Sequence, residues 1–200
     1  MSAYRRPDVE IATFLDDEGR PVPYGTQWAD PPREAYSRCA HPERFEPVVV
    51  VARALLEHVV ATYEVERRDD VIDGRATTVL TPAGGGAVLR LQIGGGALPD
   101  AKVAAGFRFE DIWPDCGCDA CDDDVADLLD DLEHTVLSIV ERRLSEWREV
   151  PARDGSAAWT IHQRIEGPLG HDGGWWNHEA PFPSELPDEP HRWPAWHRRS

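Results

Sequence analysis

Most of the chain's thiol chemistry is concentrated in one short acidic stretch. Three of the four cysteines, Cys116, Cys118 and Cys121, stand within the sequence DCGCDACDDD. Cys118 and Cys121 have the C-x2-C spacing that is typical of a zinc knuckle. Gly117 gives the backbone the freedom to fold a thiolate back on the turn. The stretch therefore predicts a metal site, with zinc as the candidate ion and these three cysteines as its ligands.

Five aspartates accompany these thiols. A nucleophilic or redox-active cysteine needs a nearby cation to stabilise its thiolate, whereas carboxylates raise the pKa of a thiol. A bound divalent cation reverses that balance, so the acidic surroundings favour metal binding over thiol chemistry. The competing interpretation is a turn of packed thiols, in which residues 122–124 simply start a helix.

The fourth ligand of such a site must come from outside the three cysteines, because a structural zinc takes four ligands. The candidates are His171 and His178 first, then Cys39 and His41, with an aspartate of the turn also open. His134 is excluded, since it lies about 18 Å along the following helix and on its polar face. Cys39 and His41 rank second because the predicted topology places them away from the turn.

The elements on either side of the turn must position it. Apolar residues at helical spacing predict one helix over residues 42–62 and a second from about residue 123 to Trp147, directly after the turn. Between them the runs YEVERR, ATTVLTP, AVLRLQI and KVAAGFRF predict an antiparallel meander of four strands, separated by Asp73-Gly74 and two glycine triplets.

These elements predict an α+β fold of two layers, in which both amphipathic helices cover one face of an antiparallel sheet. Four hairpin-linked strands would leave the helices antiparallel to each other. A further strand pair is predicted around EVPARD and AWTIHQRI. We expect a single domain over residues 1–166, with an irregular lead-in over 1–41 anchored by Tyr24 and Trp28. An irregular Trp/Pro-rich tail over 167–200 would pack on this domain.

The composition excludes several classes of function. The formal net charge is −16, from 37 acidic and 21 basic residues, which repels nucleic acid and anionic lipid. No run of about 18 apolar residues is present, so no membrane span is expected. No apolar segment follows the N-terminal arginines, so no secretory signal is expected. We therefore expect a cytoplasmic protein, monomer or homodimer, whose partner is another protein.

Several short motifs resemble those of an uncharacterised bacterial family, a domain of unknown function. The motifs are PYG with Trp28, then AYSR, HPERF, CGCDAC and SEW, and together they span roughly residues 20–150. The resemblance implies that the cysteine turn and the following helix belong to one compact domain. It implies no activity, substrate or cofactor.

The sequence leads to one main functional hypothesis and two alternatives. The main hypothesis is a small partner-binding or structural protein, rather than an enzyme, with zinc at the cysteine turn. The first alternative is a metal-dependent enzyme that uses Cys116, Cys118 and Cys121. The second alternative is a thiol redox or metal-handling protein.

The charge generates a first testable prediction, that the protein does not bind nucleic acid. Without a basic stripe, association would release few counterions and would have to overcome repulsion between like charges. In gel-shift titrations at about 150 mM salt with duplex DNA and structured RNA, we expect no shift up to about 10 µM protein. A saturable shift at micromolar concentration would contradict this prediction.

Overall fold

In the part of the chain that the structure describes, there are two α-helices and two antiparallel sheets. A computed structural model describes residues 3–95, 97–149, 159–167, 169, 172–176 and 184–200, and of residues 172–176 it describes only the backbone. In chain order the elements are α1 (Glu46–Thr62), β1 (Val65–Ile72), β2 (Arg75–Pro82), β3 (Leu89–Ile93), β4 (Ala101–Ala105), β5 (Phe109–Trp113), α2 (Val125–Val140), β6 (Leu144–Glu149), β7 (Thr160–Ile165), β8 (Asp172–Trp176) and β9 (His191–Arg192). Neither helix in this described part is long and apolar enough to cross a membrane.

The first sheet has the strand order β1-β2-β3-β4-β5, with every neighbouring pair antiparallel. Leu89, Leu91 and Val103 are buried at alternate positions of β3 and β4, the period of a half-buried strand. They share one core with Leu55 of α1 and Leu132 of α2. The predicted α+β class, with both helices on one face of an antiparallel sheet, is therefore confirmed.

The meander contains five strands where the sequence predicts four. The run KVAAGFRF, predicted as one strand, is instead the hairpin between β4 and β5. The chain reverses at Gly106, which has a φ of 58°, a conformation that favours glycine. The hydrophobic alternation continues through the turn, so the pattern of the side chains does not reveal the reversal.

The fifth strand changes the direction of the second helix. Because consecutive elements alternate in direction, an odd number of strands makes α1 and α2 run the same way. Gly117, just before α2, packs on Phe45, just before α1. At the other end, the N–H of Trp196 donates to the Val140 carbonyl at 2.9 Å, and its ring lies 6.0 Å from the Tyr63 ring. The predicted antiparallel helices are therefore wrong.

The two helices differ in how well the sequence marks their bounds. The first is confirmed over 42–62, as a 3-10 turn at Pro42–Phe45 followed by α1. The second ends at Val140, well before the predicted end at Trp147, because Arg142 adopts a φ of 71° and leaves the helix. Trp147 lies in β6 and stacks on His162, with 4.9 Å between ring centroids.

The second sheet has the order β8-β7-β6-β9. It contains the predicted strand pair, as β6 and β7, while residues 150–158 between them lie outside the described residues. The tail was expected to be irregular, but it contributes the strands β8 and β9 to this sheet. Trp196 is only 3% exposed in the main core. The division of the chain at residue 166 stays a prediction.

A buried carboxylate connects the two sheets and the C-terminal segment. Glu146 in β6 is fully buried and accepts the successive N–H groups of residues 107–109 at 2.7–2.8 Å. It also accepts the indole N–H of Trp193 at 2.7 Å. The β4–β5 turn passes so close that a side chain at Gly106 would collide with this carboxylate. One side chain of β6 therefore fixes both the hairpin turn and the tail.

We predict that Glu146→Gln destabilises the protein by about 3 kcal/mol, because the amide loses the charge and directs an NH2 group at N–H donors. The matched control is Glu149→Gln on the same strand, where the side chain is 69% exposed. It should change the free energy of unfolding by less than about 0.5 kcal/mol. Urea denaturation of both variants measures the difference, and equal midpoints would refute the role of Glu146.

Candidate metal centre at the cysteine turn

The cysteine turn, residues 114–124, connects β5 to α2. Gly117 stands in the left-handed region with a φ of 74°. A side chain at this position would collide with Leu98 and press on the ring of Phe45. Glycine is therefore required here for two reasons. One is the close packing against the start of α1, and the other is the backbone freedom that the turn needs, as predicted from the sequence.

The three predicted ligands lie together. The Sγ atoms of Cys116, Cys118 and Cys121 all fall within 4.8 Å of one another, a geometry that could hold a metal ion. The Sγ atoms of Cys118 and Cys121 are 3.4 Å apart. A tetrahedral zinc with bonds of about 2.3 Å places two sulfurs about 3.8 Å apart. Within the described residues, no other group of cysteine, histidine and acidic side chains meets the same criterion.

Hydrogen bonds lower the pKa of one sulfur of the cluster. Burial raises the pKa of the Cys118 thiol, but hydrogen bonds from Cys116 and Cys121 and from the N–H groups of Cys121 and Ala120 outweigh burial and lower it. For Cys121, burial and its bonds to the same thiols raise the pKa to about 12. The expectation that the aspartates raise every thiol pKa is thus wrong for Cys118, because the hydrogen bonds act at shorter range.

Asp119 ties the lead-in to the cysteine turn. Its side chain is 2% exposed and accepts the Arg38 Nε–H at 2.6 Å and the Ala40 N–H at 2.9 Å. Its own N–H donates to the Arg38 carbonyl at 2.7 Å, and its carbonyl accepts the indole N–H of Trp28 at 3.0 Å. Asp119, which was predicted from the sequence to be part of the acidic surroundings of a metal, is therefore a hydrogen-bond acceptor that holds the fold together.

Two further aspartates also fold the turn. Asp122 accepts the N–H of Gly25 at 3.1 Å and that of Gln27 at 2.6 Å. Asp124 is the N-cap of α2, where its carboxylate accepts an N–H of the first turn at 2.7 Å. Part of the competing interpretation, that this segment starts the helix, is thus correct. The cation-attracting role of five carboxylates is reduced, because three of them are committed to hydrogen bonds.

A buried arginine lies behind the turn. Arg44 is 3% exposed, and its guanidinium lies 4.1 Å from the Tyr24 ring centroid and 4.3 Å from that of Phe45. It donates to the Gly117 carbonyl at 3.4 Å and lies 3.8 Å from the Asp119 carboxylate. Arg44 is not among the residues predicted from the sequence, although an arginine directly before an apolar helical stripe is a signal. Its positive charge offsets negative charge on the turn.

Cys39 lies beside the turn, contrary to the topological expectation. Both of its neighbours, Arg38 and Ala40, hydrogen-bond to Asp119, which directly follows Cys118. Burial chiefly, and also nearby negative groups that include Cys118, raise the pKa of Cys39. The topological reason for ranking Cys39 and His41 second fails, because the fifth strand brings the start of α1 to this end of the sheet.

The remaining candidate ligands have different positions. His41 stacks on Phe14, with 4.7 Å between ring centroids, and does not belong to the thiol group. His134 contacts its own helix and the segment after β7, in agreement with its exclusion. His171 and His178 lie outside the described residues, so their rank stays a prediction.

No cysteine lines any of four surface cavities, of about 790, 560, 490 and 180 Å³, that the described residues form. The cavity of about 790 Å³ lies on the open face of the first sheet. That of about 560 Å³ lies between the lead-in and Asp119. The thiols therefore do not line any of these four cavities, some of which have the volume of a substrate-binding pocket.

We predict that Asp119→Asn releases the lead-in from the turn and lowers stability by about 2–3 kcal/mol, since it leaves buried donors without a charged acceptor. Limited trypsin digestion should then cut at Arg33 and Arg38 faster than in the unsubstituted protein. Asp115→Asn is the matched control, because Asp115 is exposed in the same turn. Equal cleavage rates and melting temperatures for the two variants would contradict the prediction.

Comparison with known proteins places the chain in one family. No curated protein matches it, and no solved structure matches it. A family profile matches residues 10–200, which extends beyond the span of 20–150 suggested by the short motifs and includes the tail. The chain therefore belongs to this family, DUF6226, a family of unknown function.

Proposed function

We propose that this protein is a partner-binding structural protein whose cysteine turn holds one zinc ion. The observation that carries the metal part is the convergence of three sulfurs within 4.8 Å. Two backbone N–H groups directed at Cys118 Sγ support it further, because outer hydrogen bonds to a ligand orient it for the metal. Zinc is the favoured ion, since thiolates suit zinc whereas calcium and magnesium prefer oxygen ligands.

Cys39 is the proposed fourth ligand. The hydrogen bonds of Arg38 and Ala40 to Asp119 hold the backbone on both sides of Cys39 against the residue that follows Cys118. Cys39 is not part of the group of three converging sulfurs, so its side chain would have to move toward the turn to complete a site of four sulfurs. Four thiolates and one zinc carry two negative charges, which the buried Arg44 guanidinium partly offsets.

The zinc would act as a structural crosslink between the lead-in and the body of the fold. The lead-in has no sheet of its own, and the cysteine turn satisfies several of its backbone groups through Asp119 and Asp122. A metal bound by Cys39 and the turn would reinforce the same connection. A metal-dependent enzyme is the weaker alternative, because none of the four cavities described above is lined by a cysteine.

The partner-binding part rests on charge and chemistry. A net charge of −16 favours a basic protein partner over nucleic acid or an anionic membrane. Four free cysteines suit a reducing compartment such as the cytoplasm, where thiolates remain able to bind zinc.

We predict about one zinc per chain in untagged protein, measured by elemental analysis. Cys116→Ser, Cys118→Ser and Cys121→Ser should each weaken zinc binding by at least about a hundredfold, since even an outer-shell partner of a ligand contributes about 10- to 100-fold. In the cobalt-substituted protein, the sulfur-to-cobalt charge-transfer band grows with the number of bound thiolates. Cys39→Ser should reduce this band by about a quarter if the metal is held by four sulfurs.

His41→Gln is the control and should leave the zinc content and the cobalt band unchanged. If the cobalt band is unchanged in Cys39→Ser, and metal binding is lost in His171→Gln or His178→Gln, the fourth ligand is that histidine and not Cys39. Full zinc content in all of the Cys116, Cys118 and Cys121 variants, or no zinc in the native protein, would refute the metal site altogether.

A thiol redox role is the second candidate, and one distance favours it. The Sγ atoms of Cys118 and Cys121 are 3.4 Å apart, near enough for a disulfide of about 2.05 Å after a small rotation. Exchange with oxidised glutathione would form this bond and break the disulfide of glutathione. The two thiol protons would pass to the two molecules of reduced glutathione that leave. A reversible disulfide in glutathione buffers of cytosolic potential, absent in Cys121→Ser, would favour this role over zinc.

A further inference from the structure

An apolar groove lies between the lead-in and the start of α1. Its apolar lining comes from Val9, Ala12 and Phe14 on one side and from Pro47 and Val50 on the other, and its volume is about 490 Å³. Val50 is 44% exposed, although it stands in the apolar run of a helix whose other valines at 48, 49 and 51 are buried. Ile11 beside the groove is 49% exposed. Apolar side chains are thus concentrated at one exposed place.

Carboxylates surround this groove. Asp8 and Glu10 of the lead-in and Glu43 and Glu46 of the helix start all line it. Glu43, Glu46 and Val50 are spaced at i, i+3 and i+7, so they share one face of the chain at this point. All four acidic residues are exposed. Glu43 pairs with His41 at 3.4 Å, and the only cation that lines the groove, Arg44, is buried and engaged below.

We infer that this groove is the docking site for a short basic segment of a partner protein, in which apolar side chains alternate with arginine or lysine. The apolar side chains would cover Val50 and Phe14, and the cations would meet the acidic rim. This inference rests on the partner-binding part of the proposed function and identifies the surface and the chemistry of the partner.

Charge decides between the occupants of the groove. A second copy of this chain would bring another net charge of −16 toward the acidic rim, so self-association is opposed by repulsion. An anionic lipid surface is opposed for the same reason. A basic partner can bury apolar side chains in the lining and pair its cations with the acidic rim. Complementary charge also accelerates encounter and fixes orientation.

The groove is joined to the cysteine turn through shared residues. Phe14 stacks on His41, and Arg44 donates to Gly117 at the centre of the turn. Tyr24 packs against both His41 and Arg44. The lead-in side of the groove and the helix side are therefore held by the same contacts that surround the candidate metal centre.

The test uses a fluorescent dodecapeptide in which arginine and leucine alternate, with fluorescence anisotropy as the measurement on the full-length protein. We expect saturable one-to-one binding. Replacing the arginines by glutamate, or the leucines by serine, should abolish or weaken it by at least about tenfold. Glu10→Gln and Glu46→Gln should each weaken it about threefold. Glu66→Gln, at an exposed position of β1, is the control and should leave it unchanged.

Val50→Asp separates docking from general attraction between a basic peptide and an acidic protein. The substitution adds negative charge, so general attraction predicts tighter binding, whereas docking in the groove predicts binding at least about tenfold weaker. Val71→Asp makes the same change at a valine that is 67% exposed on β1 and should not weaken binding. Circular dichroism and melting curves establish that both variants are folded.

Equal affinities of the Val50→Asp and Val71→Asp variants for the peptide would overturn the proposal that the groove is the docking site. Concentration-dependent dimerisation that Val50→Asp abolishes would also overturn it, by identifying a second copy as the occupant. If the docking proposal fails but the protein still carries zinc at the cysteine turn, the zinc proposal stands. If the protein carries no zinc but still binds the peptide in the groove, the zinc proposal fails and the docking proposal stands.

Discussion

The architecture depends on buried carboxylates that accept backbone N–H groups of irregular segments. Helices and strands satisfy their own main-chain polar groups, but a long lead-in and a hairpin turn do not. Asp119 supplies acceptors to the lead-in, and Glu146 supplies them to the β4–β5 turn. Each carboxylate is almost fully buried, where an unpaired charge would be costly. The fold therefore determines the conformation of these segments through two acidic side chains.

This arrangement explains why the cysteine turn contains so many acids. Asp119, Asp122 and Asp124 are used to fold the turn and attach its neighbours. A metal held by the adjacent thiols would stabilise the turn from within, while the aspartates hold it from outside. The buried guanidinium of Arg44 lies 3.8 Å from the Asp119 carboxylate and offsets negative charge on the turn.

The candidate metal centre and the acidic groove are adjacent at the start of both helices. Phe14, His41 and Arg44 connect the two through ring contacts and hydrogen bonds. A structural ion at the turn would make the groove rigid before a partner arrives, which reduces the entropy lost on binding.

Local patterns in the sequence were enough to predict the α+β class, the bounds of α1, three strands of the first sheet, the β6–β7 pair and the grouping of the three cysteines of the turn. Hydrophobic period and ligand spacing are properties of neighbouring residues, so local patterns reveal them. They did not reveal the reversal at Gly106, since that turn is stabilised by Glu146, distant in the chain. Because this one strand was missed, α2 was predicted to run in the wrong direction and Cys39 was predicted to lie away from the cysteine turn. Only the tertiary structure decided which segments meet there, because strand count and long-range carboxylate contacts set the direction of every later element.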